Sequence, residues 1–101
     1  SNIFLIKNNA LYTPPVNAGI LKGITRDIVL KLARARGMQC FEADTRLNEL
    51  LQADEAFCTN SIMEIMPLLS VNGAPIGAGA QGAVTAGLMQ AYTDLVAHEH
   101  V

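Results

Sequence analysis

The sequence predicts a domain of mixed α and β structure, and three observations support this prediction. Short apolar segments bounded by turn residues indicate strands, while two longer segments with helical periodicity indicate helices. The pair Asn72-Gly73 indicates a β-hairpin, because both central positions of such a turn need a positive φ angle. The chain has 101 residues, 50% of them hydrophobic, which suits one domain or one piece of a larger one.

The chain begins with a predicted hairpin. Residues 3–6 and 10–12 are apolar runs on either side of Asn8-Asn9, a pair typical of tight turns. The first run is apolar at successive positions, so we expect both faces of this strand to be covered, partly by segments elsewhere in the protein. Pro14-Pro15 then ends the hairpin and starts a loop.

A helix is predicted from Ile24 to Gly37. Thr25 is interpreted as its N-cap, Asp27 complements the helix dipole, and Gly37 ends it. The expected apolar face consists of Ile24, Ile28, Val29, Leu32 and Ala33.

The remaining elements follow from the same periodicities and turn signals. They are a strand over residues 39–43, a short helix over 47–52, a strand over 55–59, a hairpin over 68–76 and a helix over 83–97. The inward face of the last helix is expected to comprise Val84, Leu88, Met89, Tyr92, Leu95 and Val96.

Composition argues against several classes of partner. The net charge is −2 and no basic stripe is present, so nucleic acid is not expected. No apolar run approaches the roughly 20 residues that span a bilayer, so no membrane association is expected. Cys40 and Cys58 match no metal-ligand spacing, and we expect buried thiols in a reducing cytoplasm. Ser1 leads directly into an apolar run without an initiator methionine, which is typical of a start within a longer protein.

Two segments are candidate ligand sites. At Gly23-Ile24-Thr25 a glycine allows close approach, the free N–H groups of a helix start point outward, and a hydroxyl lies beside them, which favours phosphate binding. Asn60-Ser61 follows a predicted strand, where small polar residues often contact ligands. The alternatives are an ordinary capped helix and a polar turn.

Two other patterns are not interpreted as sites. Residues 77–82 match G-x-G-x-x-G, but the preceding strand contains Pro75 and belongs to a hairpin, so the βαβ unit of a dinucleotide site is lacking. His98-Glu99-His100 is interpreted as a solvated terminus and not as a metal site, because neighbouring helical residues do not share a face.

Five segments, taken in order, resemble one known family. They are residues 1–4 (Ser-Asn-Ile-Phe), 11–15 (Leu-Tyr-Thr-Pro-Pro), 20–26 (Ile-Leu-Lys-Gly-Ile-Thr-Arg), 53–57 (Ala-Asp-Glu-Ala-Phe) and 64–67 (Glu-Ile-Met-Pro). They resemble the C-terminal half of the large domain in class IV aminotransferases, the fold-type IV enzymes of pyridoxal 5′-phosphate (PLP). The resemblance covers nearly all of residues 1–101 and implies an α+β fold, a barrel-like mixed sheet with flanking helices.

The resemblance also implies how the cofactor is held. Leu21 would pack against the pyridine ring, while Ile24 and Thr25 would bind the phosphate through backbone N–H groups and the Thr25 hydroxyl. The cofactor-binding residues implied are Leu21, Gly23, Ile24, Thr25, Asn60 and Ser61. The backbone of Ile62 and Met63 would lie where the substrate carboxylate is held.

The family's reactive groups are expected outside this chain. PLP catalysis needs a lysine that bonds the cofactor and a carboxylate on the pyridinium nitrogen. In the family both lie upstream of the segment that matches Ser1, so we expect this chain alone to be inactive and the parent protein to be a cytoplasmic enzyme, usually a homodimer in this family.

Three functions remain open for the parent protein. The apolar residues Ile62 and Met63 after Asn60-Ser61 resemble aminodeoxychorismate lyase, which makes 4-aminobenzoate for folate synthesis, and this is the first hypothesis. The alternative is a D-amino acid or branched-chain amino acid aminotransferase. A module that binds a phosphate or a partner without catalysis is the third.

Overall fold

The computed structural model of the protein describes residues 2–15, 24–60 and 64–99, apart from the side chains of residues 64, 98 and 99. Within these ranges the strands are β1 (Asn2–Lys7), β2 (Ala10–Thr13), β3 (Cys40–Glu42), β4 (Glu55–Asn60), β5 (Glu64–Pro67), β6 (Ser70–Val71) and β7 (Ala74–Pro75). The helices are α1 (Ile24–Ala35), α2 (Leu47–Gln52) and α3 (Ala83–Glu99). The α+β class is confirmed.

A mixed five-stranded sheet, with strand order β3-β2-β1-β4-β5, organises the domain. Only β2 and β3 pair in parallel, and the other neighbours are antiparallel. The sheet is mixed, as predicted for the family, and within the described residues it is not closed into a barrel. β6 and β7 form a separate two-stranded hairpin.

Both predicted tight turns are confirmed by their backbone angles. Asn8 and Asn9 have φ angles of 51° and 61°, and Asn72 and Gly73 have φ angles of 50° and 82°. Asparagine and glycine tolerate this left-handed region better than other residues, so the local sequence is sufficient to specify the two turns.

Strand directions bring several element ends together. β2 and β3 are parallel, β4 is antiparallel to β1, and α1 connects β2 to β3. A helix that connects two parallel strands runs back from the end of the first strand to the start of the second. Its N-terminus therefore lies near the carboxyl end of the first strand. We call this the α1 end of the sheet; it comprises Asn2, Thr13, Glu42 and Asn60 and the first turn of α1.

The main core lies between the sheet and the helices α1 and α3. Phe4 and Phe57 are fully buried there, with their rings stacked 4.9 Å apart. Each fully buried side chain of this size stabilises the fold by about 2–3 kcal/mol. The cluster also contains Ile6, Leu11, Val29, Leu30, Ala33, Met38, Ile65, Leu88 and Tyr92.

A smaller core covers the opposite face of the sheet. Leu5 of β1 and Ala56 of β4 pack there with Leu50 and Ala53 near α2, and with Ile76 after the hairpin. The prediction that β1 is covered on both faces is therefore confirmed, and much of the second cover comes from within the chain.

Several predicted details differ from the structure. Thr25 is the second residue of α1 and not its N-cap, because Ile24 already has helical geometry. The Ile24 side chain is 79% exposed and does not join the apolar face, whereas Leu30 is buried. β3 is shorter than predicted, and β5 was not predicted as a strand. In the described part of the chain, no helix has the length and apolar character to cross a bilayer.

Candidate functional site

Hydrogen bonds tie several segments together at the α1 end. Arg26 Nη2 donates to Glu42 Oε1 at 2.7 Å and to the Pro14 carbonyl at 3.1 Å. The Thr13 hydroxyl donates to the Ile3 carbonyl at 2.7 Å. The first turn of α1 is thereby joined to the ends of β2 and β3, and β2 is joined to β1.

The first turn of α1 has the properties of an anion site. The first four N–H groups of a helix have no intrahelical acceptor, and the macrodipole places partial positive charge there. The Ile24 side chain has no polar atom, so the group that this residue can offer a ligand is its backbone N–H. Thr25 is 8% exposed, and its hydroxyl lies 3.5 Å from the Tyr92 hydroxyl of α3.

Arg26 adds a buried cation to the same turn. The residue is 1% exposed, and Asp27 Oδ1 lies 3.8 Å from its Nη1. Its Nε is buried and has no hydrogen-bond acceptor among the described residues. The helix N–H groups and the Thr25 hydroxyl are donors that suit an anionic group such as a phosphate.

The start of α3 is different, because the protein supplies its own anion there. The Glu55 carboxylate accepts hydrogen bonds from the Val84 and Thr85 N–H groups at 3.1 and 2.7 Å. A Cβ built on Gly82 would overlap this carboxylate. In the glycine-rich segment, residues 77–82, Gly82 therefore lets the chain pass close to Glu55. This contact gives the segment a structural role, in agreement with the prediction that it is not a dinucleotide site.

The predicted site residues are only partly covered by the described structure. Of the cofactor-binding residues that the family resemblance implies, Ile24, Thr25 and Asn60 are described, and they lie at the α1 end of the sheet. The others fall outside the described residues: Leu21, Gly23, Ser61, Ile62 and Met63.

Sequence reasoning missed two residues that contact this site. Arg26 was quoted as part of a motif but received no role, and Tyr92 was assigned to the core. A cation in the first turn of a helix opposes the dipole, and that local signal could have identified Arg26. Nothing in the sequence indicated that Tyr92 lies beside Thr25, since they are 67 residues apart.

A cavity of about 280 Å³ lies elsewhere, on the face of the sheet opposite α1. Leu5, Tyr12 and α2 contribute to its walls, and it contains none of the predicted site residues; its lining is Leu5, Lys7, Tyr12, Ala43, Asp44, Thr45, Glu49, Gln52 and Ala53. It therefore does not correspond to the predicted cofactor site.

The cysteines offer no activated nucleophile. Both are free and partly buried. Burial raises the pKa of the Cys58 thiol above its ordinary value of 9.0, so the thiol is protonated at neutral pH.

Comparison with known proteins identifies the family. The model of the family described as "Amino-transferase class IV" matches residues 1–71, which is more than half of the chain. The chain belongs to the class IV aminotransferase family. The family resemblance inferred from residues 11–15, 20–26 and 64–67 is thereby confirmed.

Members of the class IV aminotransferase family resemble the chain in sequence and in structure. It is 46% identical over 95 residues to a branched-chain-amino-acid aminotransferase from Pseudomonas aeruginosa, covering 94% of this chain and 31% of that protein. It is 39% identical over 99 residues to a D-alanine aminotransferase from Bacillus licheniformis, covering 98% and 35%. The holo, PLP-form structure of a branched-chain amino acid aminotransferase from Thermobaculum terrenum superimposes with a TM-score of 0.88 at 36% identity, covering 95% and 32%. The chain spans about a third of the length of these family members.

Proposed function

We propose that this chain forms the phosphate-binding part of a PLP-dependent amino acid aminotransferase. The observation that carries the proposal is the α1 end of the sheet, where the start of α1, a buried arginine and the ends of three strands meet. Two features of similar proteins support it: the relatives described above are aminotransferases, and one solved structure is in a PLP form.

The residues of this chain would act as ligands and not as reactive groups. The backbone N–H groups of Ile24 and Thr25 would bind the phosphate together with the Thr25 hydroxyl, and Ser61 would approach from the end of β4. Gly23 would allow close approach, and Leu21 would pack on the ring. Bound PLP supplies the electron sink that stabilises a carbanion at the amino acid α-carbon.

The rest of the site would come from a longer protein. In the family the lysine that bonds the cofactor precedes the segment matching Ser1, and the lysines here match other positions. The chain covers about a third of its relatives, which supports the proposal that it is one part of a larger enzyme. The family resemblance implies that this is the C-terminal part. The homodimer expected for the family and its cytoplasmic location belong to this proposal as well.

An aminotransferase is now favoured over the lyase as the parent activity. The lyase hypothesis rested on the bulky residues Ile62 and Met63 after Asn60-Ser61. These residues would line the substrate side of the cofactor, and branched apolar amino acids also need an apolar wall. Independently of this wall, the relatives are named as aminotransferases of branched-chain amino acids and of D-alanine, which supports transamination of one of these substrates.

The activity of the complete protein distinguishes these candidates. Purified full-length protein is incubated with PLP, 2-oxoglutarate and either L-leucine or D-alanine, and glutamate is measured. In parallel, aminodeoxychorismate is supplied and 4-aminobenzoate is measured. We expect glutamate from one of the amino acids; 4-aminobenzoate without glutamate would restore the lyase assignment, and no product with PLP unbound would favour the non-catalytic module.

A further inference from the structure

The position of the Arg26 charge is electrostatically unfavourable, so specific contacts must offset the free-energy cost of placing it there. It is the third residue of α1, where the macrodipole favours anions, and its side chain is almost completely buried. Burying a charge is costly unless it is paired and hydrogen-bonded. The guanidinium is stabilised by a charged hydrogen bond to Glu42 at 2.7 Å and by the Pro14 carbonyl at 3.1 Å.

These contacts connect three segments that are separate in sequence. Pro14 follows β2, Glu42 ends β3, and Arg26 belongs to the first turn of the helix between them. β2 and β3 are the parallel pair of the sheet, with Thr13 opposite Glu42. One planar group with several donors therefore fixes where the helix start lies relative to both strand ends.

We propose that Arg26 is a positioning residue for the phosphate site, holding the N–H groups of Ile24 and Thr25 in place through its contacts with Glu42 and Pro14. The inference rests on the proposed function, since it assumes that the start of α1 binds the cofactor phosphate. Helix N–H donors bind an anion well only when the structure holds them within about 0.5 Å of the productive geometry.

In this proposal the Arg26 side chain positions the backbone N–H groups of Ile24 and Thr25, and it is not itself a principal phosphate ligand. Its Nη2 is engaged by Glu42 and Pro14, and the two carboxylates of Glu42 and Asp27, at 2.7 and 3.8 Å, offset its charge. A direct ligand role and a positioning role make opposite predictions for removal of the Glu42 charge. If Arg26 binds the phosphate directly, neutralising Glu42 strengthens phosphate binding; if Arg26 positions the helix, it weakens binding.

The test compares ligands with and without a phosphate in the full-length protein. Dissociation constants for PLP and for pyridoxal are measured by absorbance titration, and the ratio of pyridoxal to PLP constants reports the phosphate contribution. The variants are Glu42→Gln and Arg26→Lys. The Glu42 side chain is 50% exposed, so its amide variant is expected to fold. Asp54→Asn is the matched control, because it makes the same acid-to-amide change just before β4, at the end of the sheet opposite the α1 end.

The expected result is a fall in the ratio by about tenfold for Glu42→Gln and by more for Arg26→Lys, which cannot bridge two acceptors in the same planar geometry. Asp54→Asn should leave the ratio within about twofold of wild type. Urea midpoints of the apo proteins are recorded for all variants. If Arg26→Lys does not fold, the result for Glu42→Gln decides alone.

An unchanged or increased ratio in Glu42→Gln would overturn the proposal. This includes an equal loss of affinity for both ligands, and a lower urea midpoint with no change in the ratio. A wild-type protein that does not prefer PLP to pyridoxal would refute the proposed function itself, and so is distinguishable from failure of this inference alone.

Discussion

At the scale of single residues, the Thr25 hydroxyl has one observed polar neighbour, the Tyr92 hydroxyl of α3. The hydroxyl lies 3.5 Å from the Tyr92 hydroxyl, a distance too long for a strong hydrogen bond. A short hydroxyl at a helix start, held only weakly by its protein neighbour, remains able to donate to an anion bound at the same turn.

Replacing Thr25 by alanine is therefore predicted to weaken PLP binding in the full-length protein. The expected loss is about 1–2 kcal/mol, or roughly 5- to 30-fold in the dissociation constant, as for a hydrogen bond to a charged group. Absorbance titration measures it. Thr25→Ser keeps the hydroxyl and should retain most of the affinity. If Tyr92→Phe weakened binding as much as Thr25→Ala, the contact between the two hydroxyls, and not the phosphate, would explain the effect.

Asp54 gives a pH-dependent contribution to stability. The Asn8 N–H donates to its carboxylate at 2.9 Å, and this hydrogen bond, together with the charge of Lys7, lowers the pKa of Asp54 below its ordinary value of 3.8. Since the folded pKa is depressed, the stabilisation is present above about pH 4 and is lost as the pH falls through the folded pKa.

We predict that Asp54→Asn destabilises the folded protein at pH 6 by less than about 1 kcal/mol, because the Lys7–Asp54 ion pair is exposed and screened by solvent. Urea denaturation from pH 6 down to pH 2 should show the difference from wild type shrinking below pH 4. A difference that stays constant over this range would mean that the carboxylate charge is not responsible.

At the scale of whole elements, Glu55 determines where α3 begins. Its carboxylate at the start of β4 accepts two backbone N–H groups of the helix, which joins α3 to the sheet. Charge-assisted hydrogen bonds at a helix N-terminus stabilise it both directly and through the macrodipole.

Glu55→Gln is predicted to lower the free energy of unfolding by about 1–2 kcal/mol, because an amide oxygen is a weaker acceptor and carries no charge. Asp94→Asn on the same helix is the matched control. Asp94 accepts an exposed hydrogen bond from Gln90 at 2.9 Å, and its loss should cost less than about 0.5 kcal/mol. Equal losses in the two variants would contradict a special role for Glu55.

The glycine-rich segment before α3 is predicted to serve folding and not ligand binding. Gly77 and Gly37 both have positive φ angles, 57° and 81°, but a Cβ at Gly77 would overlap the Asp54 carbonyl, whereas at Gly37 nothing lies within 4 Å. Gly37→Ala should therefore cost about 1 kcal/mol and Gly77→Ala considerably more. Thermal denaturation of the two variants measures this; equal costs would show that backbone strain alone matters.

At the scale of the whole molecule, the described residues hold one part of the proposed cofactor site. Under the proposed function the α1 end would bind a phosphate, but the described residues place no lysine there: Lys7 contacts Asp54 at the opposite end of β1, and Lys31 lies beyond the first turn of α1. The large apolar side chains of Phe41, Met66 and Leu69 are 40–42% exposed.

We therefore predict that the isolated 101-residue chain has no aminotransferase activity and forms no stoichiometric covalent bond with PLP. The chain is mixed with PLP, reduced with borohydride and analysed by peptide mass spectrometry, with the full-length protein as the positive control. A single modified lysine at full occupancy, together with glutamate formation, would contradict the prediction.

Much of the architecture was predictable because it depends on local properties of the chain. The positive φ angles at Asn8-Asn9 and Asn72-Gly73, and the apolar spacing of Val29 and Ala33 in α1, follow from residues near one another. The family was also predictable, since Pro14-Pro15 and the segment around Thr25 form a specific motif. The short strand β5 was missed because Pro67 and its apolar neighbours give no clear period.

Only the tertiary structure decided the contacts between residues that are far apart in sequence. The pair Arg26–Glu42 spans 16 positions, Glu55–Thr85 spans 30, and Thr25–Tyr92 spans 67. No local periodicity encodes them, because strand order and the direction of α1 determine which side chains meet. The sequence by itself therefore determined the turns, α1 and the family. Packing decided that Arg26 contacts Glu42 and Pro14 beside the start of α1, and that the Glu55 carboxylate accepts N–H groups at the start of α3.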